Sequence, residues 1–279
     1  MRRGNPPRPT AEPRQYCGGN PPRFAENDCD DCTGASGVNA AECGVLLLHG
    51  FSGSPLEMTP LAEALSVPGW TVSVARLAGH GTSPDDLARV TWQEWVASAR
   101  EAYRDLRHRC RRVALAGLSM GGALALYLAA SDPPAAVVAI SAPIRVRPLL
   151  ASARRVASKV MSVVPVLVRL VPRDPDVRAY WSPYSRIPLV AAGQLELLLA
   201  ETRRALPQVR VPLLVVQGRR DWIIPRDSAQ EILRLASVAP GTLLWLQRSG
   251  HVATLDRDRT VLADEVTKFL RIHLAPYQS

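Results

Sequence analysis

Lysine is nearly missing from this chain. Only Lys159 and Lys268 occur in 279 residues, so 32 of the 34 basic residues are arginine. The arginines are spread along the whole length, and no dense basic run is interleaved with aromatics. That argues against a nucleic-acid surface in spite of a formal net charge of +9. No uncharged apolar run reaches about 18 residues, so no transmembrane helix is expected. Met1-Arg2-Arg3 leads into Pro, Gly and polar residues instead of the apolar core of a secretory signal, and a cytoplasmic location is expected. Beyond residue 43 the only cysteine is Cys110, at the end of a predicted helix, where it reads as a partly buried structural thiol.

What is present suits an ordinary soluble protein, with 47% hydrophobic and 21% charged residues. The length suffices for one large α/β domain or two small ones. Residues 1–43 stand apart, with six of the 24 prolines, four of the five cysteines and no helical or strand period. So little apolar surface cannot offset the entropy of ordering, and this stretch is expected to be a disordered tail. Cys29-Asp30-Asp31-Cys32 is a C-x-x-C pair, but Cys17 and Cys43 are irregularly placed for a zinc site. No shared function is assigned to these thiols.

From Gly44 onward, short apolar runs alternate with amphipathic stretches. The runs are Val45–Leu48, Trp70–Ala75, Val113–Ala116, Ala136–Ile140, Leu213–Val216 and Leu243–Leu246. Several are continuous, as in strands buried on both faces. Thr91-Trp92-Gln93-Glu94 has the form of a capping box. Trp92, Trp95, Val96, Ala99, Tyr103 and Leu106 follow at helical spacing, and Leu262, Val266, Phe269 and Leu270 repeat the period near the C-terminus. The pattern predicts a mostly parallel central sheet flanked by helices, with ligands at the carboxyl ends of the strands. It breaks between about residues 142 and 189. That segment holds nine basic residues and two acidic ones, and reads as one or two short helices inserted as a cap after the Ala136–Ile140 strand.

Gly117-Leu118-Ser119-Met120-Gly121 matches G-x-S-x-G between a predicted strand and the helical run Gly122–Ala130. Ser119 is therefore expected on a sharp strand-to-helix turn, the nucleophile elbow of the α/β-hydrolase fold. A serine nucleophile needs a base and an acid that orients the base, in the order Ser, acid, His along such a chain. Only His251 and His273 follow Ser119; His273 lies within the last helical pattern, and His251 in a loop after a strand. Asp221 follows the Leu213–Val216 strand through a loop, whereas Asp227 sits at a helix start, where a carboxylate caps N–H groups. Asp221 is favoured. The Gly-rich loop His49-Gly50-Phe51-Ser52-Gly53-Ser54-Pro55 can aim a backbone N–H at a reacting carbonyl, and the candidate oxyanion donors are the N–H groups of Phe51 and Met120.

Together with Gly79-His80-Gly81-Thr82 and Ser249-Gly250-His251-Val252-Ala253-Thr254-Leu255-Asp256, these segments resemble the α/β-hydrolase superfamily, and within it the bacterial monoacylglycerol lipases and related carboxylesterases. The resemblance runs from about Gly44 to Leu274. It implies a Ser119–Asp221–His251 triad, an oxyanion hole at Phe51 and Met120, and a structural role for His80. It implies ester hydrolysis through an acyl-enzyme, with a small ester or monoacylglycerol as substrate and neither metal nor organic cofactor. Acyl transfer, amide or thioester hydrolysis, or a triad-bearing ligand-binding module are the alternatives. Leu149, Leu150, Val160, Met161, Val164 and Leu167 are candidates for the wall of an acyl tunnel or for the packing of the cap. The basic cap offers transient contact with an anionic lipid surface.

Overall fold

The computed structural model describes residues 41–158, 161–165, 175–181 and 184–275. The expected tail before residue 41, with Cys17, Cys29 and Cys32, lies outside these residues. β1 spans Ala41–Leu48, so Cys43 is a strand residue, its thiol donating to the Leu274 carbonyl at 3.1 Å.

Each apolar run becomes a strand, fully buried at the centre of the sheet and half-buried at its edges. β1 leads through a 3-10 turn (Pro55–Met58) to α1 (Thr59–Ser66) and β2 (Thr71–Ala75), then to α2 (Pro84–Arg89) and α3 (Trp92–Arg109). β3 (Cys110–Leu118), α4 (Met120–Ser131) and β4 (Val137–Ile140) follow. After the cap segment come α6 (Leu189–Ala205), β7 (Leu213–Gly218), α7 (Ser228–Leu235), β8 (Gly241–Leu246) and α8 (Arg259–Leu274). The sheet order is β2-β1-β3-β4-β7-β8, and every pairing within it is parallel.

Strand side chains alternate between two cores. Leu46, Leu48, Leu115 and Val215 join the core under α3, α4, α6 and α7, while Val45, Leu47, Ala116 and Val216 join the core under α1 and α8. A strand that faces apolar helices on both sides has no polar face, which is why its sequence reads as an unbroken run. α4 is apolar all round because it is buried from Met120 through Leu126. The Thr91–Glu94 capping box forms, with the Thr91 N–H donated to the Glu94 carboxylate at 2.8 Å. Cys110 is fully buried at the start of β3, beyond the partial burial expected.

The cap differs from a purely helical insertion. It contains α5 (Pro148–Ala157) and a 3-10 turn (Pro175–Tyr180), but also a two-stranded antiparallel sheet of β5 (Val163–Pro165) and β6 (Arg186–Pro188). Each strand has three residues, too few for a period, and their partnership spans more than twenty residues of chain, so local pattern could not register it. Val164 is half-buried in β5 and Met161 is 48% exposed. Val160, Leu167 and the side chains of Leu149 and Leu150 lie outside the description.

Leu115 is fully buried at the centre of the sheet. Leu115→Ala is expected to cost about 2–5 kcal/mol, seen as a lower urea midpoint with an unchanged slope.

Candidate active site

The carboxyl end of β3 makes the first part of the site. Ser119 stands between β3 and α4 at φ +53°, ψ −114°, a strained backbone for a residue with a Cβ. Its N–H is held by the Ile140 carbonyl at 2.8 Å. The turn is possible only with glycine around it. A Cβ on Gly117 would fall 2.2 Å from the Gly121 carbonyl carbon, and one on Gly121 would fall 2.1 Å from the Leu48 carbonyl oxygen. The residue is half-buried, so the turn leaves it in reach of solvent.

Two further loops meet this serine. His251 Nε2 lies 2.9 Å from Ser119 Oγ, and His251 Nδ1 lies 2.8 Å from Asp221 Oδ2. The other carboxylate oxygen of Asp221 accepts the N–H groups of Ile223 at 2.9 Å and Ile224 at 3.3 Å, and the side chain has no exposed surface. The histidine loop is fixed by carboxylates. Asp258 accepts the N–H groups of Arg248 at 2.6 Å and Ser249 at 3.0 Å, and Asp256 accepts that of Gly250 at 2.7 Å. Gly218, at the end of β7, lets this loop pass over the acid loop, since a Cβ there would lie 2.3 Å from the Ser249 carbonyl oxygen. The structure thus brings Ser119, His251 and Asp221 into one hydrogen-bonded line. It leaves His273 on α8, stacked near Phe269, and Asp227 elsewhere. Asp227 does take the N-cap position of α7, but its carboxylate makes no cap bond and instead receives Arg145 Nη2 at 2.7 and 2.8 Å. A long-range arginine has displaced the local helix contact.

The His49–Pro55 loop lies beside this line. Leu77 N–H donates to His49 Nε2 at 3.2 Å, so Nδ1 carries the ring proton and donates it to the Gly50 carbonyl at 2.9 Å. Burial pushes His49 down to about 3, with His80 adding to this, and burial likewise holds His80 at about 4, so both rings stay neutral. The Gly50 carbonyl also accepts Gly53 N–H at 3.3 Å. A trans peptide points its C=O and its N–H in opposite directions. Pinning the Gly50 oxygen therefore fixes the direction of the Phe51 N–H. Among the described residues neither the Phe51 nor the Met120 N–H is bonded to another group. No group of three or more His, Cys, Asp or Glu among the described residues could hold a metal ion.

Sequence reasoning missed three supports of the site. Tyr184 closes the cap onto it. Its hydroxyl donates to the Gly79 carbonyl and accepts Thr82 N–H at 2.9 Å, and its own N–H reaches the Ser52 carbonyl at 3.1 Å. Arg147, at the cap's root, donates to the Ile224 carbonyl at 3.2 Å, behind the N–H that Asp221 uses. Glu57 is buried under the His49–Pro55 loop. Only Glu57 left a trace in the sequence, as a lone charge in Pro55-Leu56-Glu57-Met58.

Gly121→Ala is expected to destabilise the protein by about 3 kcal/mol or more in thermal melts, because two carbonyl oxygens occupy the space for the methyl group. Gly193→Ala, inside α6, faces only the flexible end of Arg154 at 3.2 Å and is expected to be tolerated.

Comparison with known proteins gives the family and the fold. The family model described as serine aminopeptidase, S33 (Hydrolase_4), matches residues 40–258. A thermostable monoacylglycerol lipase of Bacillus sp. (strain H-257) is 36% identical over 231 residues, which is 82% of this chain and 91% of the relative. A carboxylesterase of Bacillus subtilis (strain 168) is 28% identical over 228 residues, 81% of this chain and 91% of the relative. The solved structure of a metagenome-derived lipolytic enzyme superposes with a TM-score of 0.74 at 32% identity, covering 84% of this chain and 95% of that one. The monoacylglycerol lipase of Paleococcus ferrophilus shares the fold, with a TM-score of 0.69 at 17% identity over 82% of this chain and 94% of that one. No helix among the described residues is long and apolar enough to cross a membrane. The parallel sheet, the strained serine turn and the match over 40–258 establish that the chain belongs to the α/β-hydrolase superfamily, in its serine aminopeptidase S33 family.

Proposed function

We propose that this enzyme hydrolyses carboxylic esters through an acyl-enzyme on Ser119, with monoacylglycerol-like lipids as its substrate class. The observation that carries the reading is the Ser119–His251–Asp221 line, with contacts of 2.9 and 2.8 Å at the end of a strained turn. His251 takes the hydroxyl proton as Ser119 Oγ attacks the carbonyl carbon. The carbonyl oxygen gains the negative charge and is met by the Phe51 and Met120 N–H groups. Met120 also opens α4, whose N-terminal dipole favours that charge. His251 then gives its proton to the departing alcohol. Water repeats the cycle on the acyl-enzyme. Asp221 holds the imidazole tautomer and stabilises the imidazolium.

The family description names a peptidase, whereas the two Bacillus relatives are named as a lipase and a carboxylesterase. Ester and amide hydrolysis share the first step on such a triad and differ in the leaving group. The identity to the lipase, 36% over most of both chains, favours esters. A panel of monoacylglycerols, nitrophenyl esters of rising chain length and aminoacyl anilides decides between them. Esters are expected to turn over with an optimum in acyl length; turnover of anilides alone would reverse the assignment. Ser119→Ala is expected to abolish turnover and labelling by a fluorophosphonate probe, and Asp221→Asn to lower kcat by about 10⁴-fold. A wild-type protein that takes no probe would be a binding module.

The cap surface supports contact with a lipid surface. Val156 is 68% exposed and Met161 48% exposed, and Arg155 is exposed on the same helix as Val156. Binding to vesicles is expected to require anionic lipid and to fade with salt; sedimentation that ignores both would remove this part of the proposal.

A further inference from the structure

Glu57 is a carboxyl group that the reaction as described does not use, and it lies where it can govern the reaction. It is 3% exposed. The Gly50 N–H donates to its Oε2 at 3.4 Å. A Cβ on Gly53 would fall 2.3 Å from both carboxyl oxygens, so the turn from Gly50 to Gly53 is wrapped around the acid. Seen from Gly50, the carboxyl and the nucleophile lie close by: a Cβ there would be 3.4 Å from Glu57 Oε2 and 3.7 Å from Ser119 Cβ. Phe51, the proposed oxyanion donor, is the residue carried by that turn.

We propose that Glu57 is a positioning residue: its uncharged carboxyl braces the oxyanion turn, and its ionisation sets the alkaline limit of catalysis. This rests on the ester-hydrolase reading for its catalytic part. Two effects follow from loss of the Glu57 proton. A negative charge then sits beside the place where the transition state develops its own negative charge, which opposes it. The buried carboxylate also seeks hydration, which the turn can supply only by opening.

The surroundings allow this titration to be read cleanly. Burial pushes Glu57 up to about 8, and the Gly50 N–H opposes this only in part. No charged side chain enters the balance. The titratable neighbours on the adjoining loops, His49 and His80, are neutral above about 4. Asp256, which follows the 3-10 turn Ala253–Leu255 packed against this segment, is engaged with the Gly250 N–H. Between its ordinary value and about 8, the folded protein keeps a proton on Glu57 that the unfolded chain releases. Stability therefore falls as pH rises through that window.

The test compares the native protein with Glu57→Gln, which keeps an acceptor for the Gly50 N–H and cannot ionise. Above the midpoint, native kcat/KM is expected to fall by about tenfold per pH unit. The ratio of the alkaline to the neutral rate is expected to stay near one in Glu57→Gln. Fluorophosphonate labelling should follow the same two profiles, which separates the role of Glu57 from the identity of the substrate. In a Ser119→Ala background, where no catalysis occurs, the melting temperature should drop between about pH 6 and about pH 9, and Glu57→Gln should remove that drop. If Glu57→Gln does not fold, the infrared band of a protonated carboxyl in Ser119→Ala is expected to vanish over the same range. An alkaline limb retained in Glu57→Gln, or a native protein with no such limb, overturns the catalytic part. A protonated-carboxyl band absent at neutral pH overturns the whole proposal. If esters are not hydrolysed but labelling still tracks Glu57, the substrate reading fails and this one stands.

Discussion

The Leu48 carbonyl oxygen lies 2.1 Å from the point where a Cβ on residue 121 would stand. The end of β1 and the start of α4 touch there backbone to backbone. This contact holds the start of the His49–Pro55 loop against the serine turn, so the loop that carries Phe51 and the helix that Met120 opens meet next to Ser119. Any side chain at 121 would push the start of α4 away from the end of β1. The glycines at 117 and 122 serve the same crossing, with their own Cβ positions 2.2 Å from the Gly121 carbonyl and 2.8 Å from the Ala142 Cβ. Strain collects at this edge of the sheet. Ser52, Ser119 and Ser141, which follow β1, β3 and β4, have φ of +59°, +53° and +47°. The surrounding packing keeps all three in place.

Around that crossing the site is assembled from loops that do not depend on their own sequence alone. The acid loop is braced by Arg147, at the root of the cap, through the carbonyl of Ile224, whose own N–H donates to Asp221. Arg145, two residues earlier, is tied to Asp227 and Glu231 of the α7 segment. The returning end of the cap is pinned by Tyr184 to the Gly79–Thr82 loop and to Ser52. Both ends of the insertion are thus fastened to loops that carry the site.

Glu57 shows how a buried charge-bearing group can be tolerated beside such a site. An isolated carboxylate would be costly to bury, and a neutral acid is far less so. The loop that encloses it needs glycine at 53 to make room. In the reading proposed above, the enclosure that keeps the acid uncharged also makes the Gly50–Gly53 turn depend on it.

Local chemistry was enough for much of this protein. The six strands follow from apolar runs, because burial on both faces leaves few polar positions in the central ones, β1, β3, β4 and β7. The Ser119 elbow follows from glycines whose spacing has no other use than a tight strand-to-helix turn. The loop placement of Asp221 and His251 follows from the ends of the strands before them. The pairing of β5 with β6, the capture of Asp227 by Arg145, the bracing by Arg147 and Tyr184, and the enclosure of Glu57 were settled only by tertiary structure. Each joins segments far apart in the chain, or places a group in a space that no single segment defines. Sequence specifies what a residue can do and the local shape of its segment; which distant group it meets, and how much water reaches it, depends on the packing of the whole chain.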